Sequence, residues 1–261
     1  MEWEKLMNHA LQALWQETPN SDSVRQRLFK VLRQSIIRMA LAPGQALSEK
    51  ELADAFAVSR QPVREAFIRL SEVGLVEVRP QRGTYVVKIS RQAVLEARFV
   101  REAVEVAVAR EAATHGVTGQ VLDELFELLE RQRRCIGPND YARFYELDEA
   151  FHRGLSLGVG HATAWRVTEE VKAQLDRVRY LSIPDSTPIA KLTDQHTQIV
   201  DAIARRDPEA AAKAMSIHQR EILQSLPELM RRFPEMFNDG LHSAVMARPI
   251  GSEHSVVTDS S

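Results

Sequence analysis

One proline constrains this 261-residue chain more than any other residue. Pro62 lies in Val58-Ser59-Arg60-Gln61-Pro62-Val63-Arg64-Glu65-Ala66, and a helix tolerates proline only in its first turn, where the missing N–H has no partner to lose. A helix must therefore begin here, with Ser59 as its cap, since a hydroxyl can accept from an orphan amide. Val63, Ala66, Phe67, Leu70 and Val73 recur at three- and four-residue spacing as one apolar stripe, and Gly74 supplies a left-handed stop. Arg60, Gln61 and Arg64 stand off that stripe.

Just upstream, Pro43-Gly44 makes a turn. Ser48 caps a short helix from Glu49 to Phe56, and the chain bends at Ala57-Val58. Two short helices joined in this way predict a helix-turn-helix. Downstream, Leu75 to Val78 and Thr84 to Val87 are β-prone runs around the turn Pro80-Gln81-Arg82-Gly83, a hairpin with Arg82 at its tip. First-turn side chains point beyond the helix end, where a major groove would lie, and arginine grips guanine O6 and N7 with two hydrogen bonds. Phosphates would be served by the helix amino end, Ser59 and Lys50.

The run from Pro43-Gly44 through Leu47-Ser48-Glu49, Leu52-Ala53, Val58-Ser59-Arg60, Pro62 to Ala66, Leu70 and Gly74-Leu75-Val76 to Arg82-Gly83-Thr84 resembles the winged-helix domain of the GntR family. The resemblance implies that Arg60 and Arg64 read bases beside Gln61, that Lys50 and Ser59 hold phosphate or a flanking base, and that Arg82 and Gly83 enter the neighbouring minor groove. The alternative is that these arginines only solvate a surface.

At 44% hydrophobic residues the chain can bury a full core, and its length suggests two domains. No apolar run approaches a membrane span. The single cysteine, Cys135, excludes an internal disulfide, and the acidic start Met1-Glu2-Trp3-Glu4 is unlike a signal peptide. A cytoplasmic protein without a membrane partner is expected. The net charge of -2 divides unevenly: residues 22–90 hold 12 Lys/Arg against 7 Asp/Glu, and residues 91–261 hold 21 against 26. That asymmetry would aim the head at phosphate.

The expected organisation has four parts. Residues 1–21 form an extension whose Trp3, Leu6, Met7, Ala10, Leu11 and Leu14 share one helical face. Residues 22–89 form the winged helix-turn-helix, whose first helix is capped by Ser21 or Asp22 and turns Val24, Leu28, Val31, Leu32 and Met39 inward. Residues 90–237 form a helical body, and residues 238–261 read as a mostly disordered tail. Breaks at Gly116, Gly137-Pro138, Gly158 to Gly160, Pro184 to Pro188 and Asp207-Pro208 divide the body into about six helices. Thr118 and then Asn139 or Asp140 act as caps, and Pro188 and Pro208 lie just inside the last two helices. The fold class is mainly α: a winged helix-turn-helix with a small β-hairpin, then an all-α antiparallel helical bundle.

Within the body, Asp148 and His152 are four residues apart and so project from one helix face. His196 and His218 lie in the middle of two later helices. Each sits among apolar neighbours, where an unpaired charge is costly. Any one of them alone reads as a hydrogen-bonded core residue; together they are sound ligands for a divalent transition metal in a bundle core. The body resembles the FCD domain of FadR-like GntR regulators over about residues 92–232. That likeness implies a metal held by Asp148, His152, His196 and His218. One departure is Gly160-His161 where a Gly-Asn is common, which weakens the cap and makes His161 an extra ligand candidate. Zinc, nickel and manganese all suit three nitrogens and one oxygen, with zinc foremost.

Arg101 interrupts the stripe Ala97, Val104, Val108, and a buried arginine needs an anion. Two readings stand: an i,i+4 pair with Glu105, or a clamp on the carboxylate of a small organic acid effector, which the resemblance favours. The functions in view are a homodimeric regulator of a palindromic operator, usually a repressor, controlled by such an acid; a metal sensor without organic effector; a regulator whose metal is purely structural; and a metal-dependent hydrolase.

Overall fold

The computed structural model describes residues 11–19, 21–135, 140–183 and 188–238. Of the amino-terminal extension, helix α1 is described over residues 11–17. Trp3, Leu6, Met7 and Ala10 lie outside the described residues, as do Asn139 and the tail beyond Asn238. Leu11 and Leu14 join the core of the head, Trp15 packs on Phe56 with ring centroids 4.9 Å apart, and the Arg27 guanidinium lies 3.9 Å over the Trp15 ring. The extension is thus part of the head.

Helix α2 (Val24–Ile37) is capped by Ser23, not Ser21 or Asp22. The reason is reciprocity: Ser23 accepts from Gln26 N while Gln26 Oε1 accepts from Ser23 N at 3.2 Å, a capping box that requires the glutamine three residues on. Val24, expected inside, is 44% exposed because it precedes the buried stripe of Leu28, Val31, Leu32 and Ile36. Met39 also leaves that stripe. It follows the helix at φ 60° and packs with the body.

Strand β1 (Ala46–Leu47) leads into α3 (Glu49–Ala55), and α4 (Arg60–Glu72) follows the bend, where Ala57 takes φ 52°. Val63, Ala66, Phe67 and Leu70 of α4 are buried against α2. Ser48 caps α3 by accepting from Glu51 N. Ser59 occupies the cap position of α4, yet its hydroxyl makes no cap hydrogen bond. Strands β2 (Val76–Arg79) and β3 (Gly83–Val86) form the antiparallel hairpin, in register Val78↔Thr84. The short β1 adds to the other edge of β3, and its two residues are too few for a periodic signal.

The body is helical: α5 (Arg91–His115), α6 (Gly119–Arg133), α7 (Tyr141–Gly158), α8 (Ala162–Val171), α9 (Ala173–Ser182), α10 (Ile189–Ala204), α11 (Pro208–Arg220) and α12 (Ile222–Arg232). The six expected helices become eight because two were broken further, at Lys172 and Glu221. Both keep helical dihedrals, with no glycine or proline to announce the break. Thr118 caps α6 as expected, and Asp140 stands at the cap of α7 without a side-chain cap bond. Pro208 is the first residue of α11, whereas Pro188 is the cap of α10 and lies outside that helix. Strand β4 (Ile89–Ser90) pairs in parallel with β5 (Phe237–Asn238), so the end of the described chain returns beside the joint between head and body.

Phe67 is 2% exposed at the centre of the head. Phe67→Ala is expected to cost about 3–5 kcal/mol of unfolding free energy. Urea denaturation measures the loss, and a change below about 1 kcal/mol would contradict this placement.

Candidate metal centre and DNA-reading face

Helix α7 presents Asp148 and His152 on one buried face, α10 supplies His196 and α11 supplies His218. All four are buried, and one ligand atom from each lies within 4.8 Å of the others. His161, the extra candidate, is exposed at the start of α8 and stands outside this group.

The orientation of the rings is decided by residues outside the group. His196 Nδ1 lies 2.8 Å from Gln132 Oε1, and His218 Nδ1 lies 3.1 Å from Gln195 Oε1. Each glutamine is held the right way round because its amide nitrogen donates elsewhere, Gln132 to Leu147 O at 3.2 Å and Gln195 to Glu221 Oε2 at 2.9 Å. His152 Nδ1 lies 2.6 Å from Glu105 Oε2. Facing amide oxygens that accept, Nδ1 of His196 and of His218 carries the proton and their Nε2 atoms keep a lone pair, whereas His152 Nδ1 stands close to Glu105 without a hydrogen bond.

The three Nε2 atoms converge. His218 Nε2 is 3.3 Å from His196 Nε2 and 3.2 Å from His152 Nε2. Asp148 Oδ1, buried and without a hydrogen-bond partner, is 3.5 Å from His196 Nε2 and 3.9 Å from His152 Nε2. Acceptors facing one another repel unless a cation lies among them, so the donor set fits a divalent transition metal. Burial pushes the His196 imidazole down to about 3 and His218 well below its ordinary value. Burial raises the Asp148 carboxyl, but Arg179 and the imidazoles outweigh it and hold the group well below the usual carboxylate range. Asp148, His196 and His218 are thereby held in the protonation states that metal binding requires.

Beside the group is a cavity of about 30 Å³ with Arg101, Tyr145, Asp148, Arg179, Ser182 and His218 in its wall. Arg101 Nε donates to Glu105 Oε1 at 2.6 Å, the expected i,i+4 pair, while Arg101 Nη2 is buried without a partner. Both readings of Arg101 thus keep a structural basis, one on each side of the guanidinium. Burial raises the Glu105 carboxyl, yet the Arg101 guanidinium, with the His152 ring beside it, overcomes this and brings it down to about 2. Arg179 pairs with Asp148 Oδ2. Sequence reasoning missed Arg179 and Gln132, which reach the site from α9 and α6 by tertiary packing, and Gln195, whose partner His218 lies on another helix although Gln195 adjoins His196.

On the head, Lys50, Ser59, Arg60, Gln61, Arg64, Arg82 and Gly83 are all exposed. Arg64 is tethered by Glu49, with Nε to Oε1 at 3.0 Å and Nη2 to Oε2 at 2.9 Å. Gln61 donates to Glu65 at 3.0 Å. At the hairpin tip Gln81 takes φ 60° and Gly83 φ 105°, and Tyr85 Oη donates to Arg82 O at 2.8 Å, pinning the turn. Glu49 was not assigned this role from sequence, since only the folded turn brings it to Arg64.

Comparison with known proteins agrees with both halves. Residues 24–86 match the family described as bacterial regulatory proteins, gntR family, and residues 96–221 match the FCD domain. The chain is 42% identical to the HTH-type transcriptional repressor RspR of Escherichia coli K12 over 216 residues, covering 83% of this chain and 94% of the relative. A regulator of Streptomyces ambofaciens encoded in an unstable DNA locus is 38% identical over 218 residues, 84% of this chain and 91% of that one. The structure of E. coli McbR/YncC shares the fold, with a TM-score of 0.69 at 20% identity over 81% of this chain and 99% of that one.

The class is therefore a DNA-binding transcription regulator built from a winged helix-turn-helix and a helical bundle. The chain belongs to the GntR family, in the branch that carries an FCD domain. This family consists of transcription regulators and not enzymes, so the hydrolase reading falls. Among the described residues no helix is long and apolar enough to cross a membrane.

With its folded-state value near 3, His196 should remain neutral in chelator-treated protein from pH 8 to pH 5, with its proton on Nδ1. In the unfolded chain the same group protonates near its ordinary 6.5. The unfolded state thus binds the extra proton, and stability present above pH 6.5 is lost by about 1.4 kcal/mol per pH unit on the way down towards 3. Imidazole ¹⁵N spectra report the tautomer directly, and a His196 signal titrating near pH 6.5 would contradict this geometry.

Proposed function

We propose that the protein is a cytoplasmic, homodimeric repressor whose two winged helices read the half-sites of a palindromic operator, and that a small organic acid bound at a divalent metal in the FCD domain controls its release. The convergence of three Nε2 atoms and Asp148 Oδ1, with His196 and His218 aligned from behind, is the observation that carries the metal. Asp148, His152, His196 and His218 would hold it, and a bound divalent ion would supply a Lewis-acidic point for an effector oxygen. The ligand atoms lie 3.2 to 3.9 Å apart in the closest pairs, a spacing compatible with one divalent ion among them, and zinc is the metal proposed.

The unpartnered Arg101 Nη2 supports an acid as effector, since a buried guanidinium donor is best satisfied by a carboxylate. A cavity of about 30 Å³ takes about one water, so an acid would enter only as side chains move. That small volume favours a second reading, in which the metal itself is the signal. Arg101→Ala separates the two: an acid-responsive regulator loses its response to the acid, and a metal sensor keeps its response to zinc.

Repression is supported by the kinship with RspR, itself a repressor. Dimerisation is supported by the match between two-fold proteins and palindromic sites. On DNA, Arg60 and Arg64 would read bases beside Gln61, Ser59 and Lys50 would hold phosphate, and Arg82 with Gly83 would reach the minor groove.

Elemental analysis of purified protein should give about one metal per chain, and a His152→Ala, His196→Ala double variant should give none. Metal retained by the double variant, or absent from both proteins, overturns the site. Arg60→Ala should cost about 1–3 kcal/mol of binding to an operator selected from random DNA, with little loss on non-specific DNA. An equal loss on both would make Arg60 a phosphate contact.

A further inference from the structure

Helix α9 has two working faces. Ala173 packs in the core of the head, Gln174 donates to Gly74 O at 2.6 Å and Arg177 donates to Val87 O at 2.7 Å. Leu175, Arg179 and Ser182 of the same ten-residue helix line the cavity beside the metal ligands. A row of alternating charges, buried at Asp148, Lys172 and Asp176 and partly buried at Arg179, Glu149 and Arg33, runs between the two faces. Asp148 Oδ2 pairs with Arg179, whose Nη1 is 3.6 Å from Glu149 Oε1. Glu149 pairs with Lys172, Lys172 Nζ is 2.8 Å from Asp176 Oδ2, and Arg33 Nη2 of helix α2 is 3.2 Å from the same oxygen.

We infer that this row, Asp148–Arg179–Glu149–Lys172–Asp176–Arg33, is the route by which occupancy of the metal and effector site reaches the DNA-binding head. The inference rests on the reading of that site given above.

Charge balance supplies the driving force. The row holds three carboxylates and three cations, with Lys172 and Asp176 fully buried. A buried charge is tolerated only while it is paired. A divalent ion held by Asp148, His152, His196 and His218 would add two positive charges beside the Arg179 guanidinium, which would then lean more on another anion, Glu149 or the carboxylate of an entering acid. The joint that gives way is Arg179–Glu149, because both facing atoms lack a hydrogen bond and meet only as charges. A change in how firmly Glu149 is held passes to Lys172, which stands at the unannounced break between α8 and α9 and whose Nζ also bonds Asp176. Asp176 in turn shares its oxygen with Arg33. Helix α2 packs along the recognition helix, where Arg69 lies 4.1 Å over Phe29, so a shift at Arg33 moves the reading face.

The test uses chelator-stripped full-length protein, zinc as the probe, and hydrogen–deuterium exchange read by mass spectrometry. In the wild type, zinc should slow exchange in peptides of α7, α10 and α11 and should also change exchange in α2. Two variants cut the row away from the metal ligands and the DNA face. Arg33→Met removes the last link while Asp176 keeps Lys172, and Lys172→Met with Asp176→Asn removes one charge of each sign. Both should keep the zinc protection in α7, α10 and α11, at wild-type stoichiometry, and lose at least four-fifths of the α2 response.

An α2 response of wild-type size in both variants overturns the route while leaving the metal site standing. So does a wild type that protects α7, α10 and α11 but leaves α2 unchanged. Absence of zinc protection in the wild type overturns the site itself and the route with it. Arg33→Met guards against failed folding of the double variant, since it leaves the buried Lys172–Asp176 pair intact.

Discussion

The body of this regulator depends on the burial of three imidazoles that all point Nε2 at one another. Alone, such an arrangement is repulsive and would relax by ring rotation. Rotation of His196 and His218 is opposed by the amide oxygens of Gln132 on α6 and of Gln195, the residue before His196 on α10, and Glu105 of α5 lies close behind His152. Phe151 adds a flat wall, stacked on His196 at 4.2 Å with an interplanar angle of 21°. Five helices are thereby tied to one point, and the apolar cluster of Val108, Leu125, Leu129, Phe151, Ile199 and Met215 closes around it. Moving any helix of the five misaligns a donor, and this is how a site of four side chains can hold a domain in register.

The joint between head and body is of a different kind. Arg177, fully buried, hydrogen-bonds Val87 O and Gln174 Oε1, and burial pushes its guanidinium down to about 9. These partners are neutral and fixed to the backbone or to the same helix, so the strap is held by hydrogen bonds to neutral acceptors and not by an ion pair. Arg33 and Asp176 lie beside it with full charges. Burial raises the Asp176 carboxyl, and Lys172, Arg33 and Arg179 bring it below its ordinary value. A hydrogen-bonded strap and an ionic row thus lie side by side in one joint, the first on neutral acceptors and the second on opposite charges.

How much of this the residues announce depends on whether a contact is local. Pro62, the stripe from Val63 to Leu70 and Gly74 fix α4 because each acts within its own turn, and the ligands Asp148 and His152 share a face for the same reason. Ser23 escaped notice although its signal was present in Gln26, three residues on. The breaks at Lys172 and Glu221 were not legible, since residues with helical dihedrals carry no turn chemistry. Nor were Arg179, Gln132 and Glu49: their roles arise from separations of 31, 64 and 15 residues to their partners, over which periodicity says nothing. Arg101 marks the boundary between the two cases. Its spacing predicted Glu105, and its place in the cavity wall had to be seen.

The same distinction bears on the DNA-reading face. Arg64 commits Nε and Nη2 to Glu49, which lowers the Glu49 carboxyl and fixes the guanidinium plane before any base is met. A guanidinium has five N–H donors in a rigid fork, so two committed donors leave only the outer edge for a base. Arg60, one turn earlier, has no hydrogen-bonded carboxylate among the described residues and keeps its whole fork for O6 and N7 of a guanine. If both read bases as proposed, the two arginines would be unequal: Arg64 would gain orientation at the expense of donors, and Arg60 would keep its donors but have to be ordered on binding. A carboxylate so close to phosphate costs affinity for any DNA, specific or not, whereas the orientation it imposes helps only where a matching base is present. On the proposed reading Glu49 would therefore contribute to discrimination between sites more than to attachment.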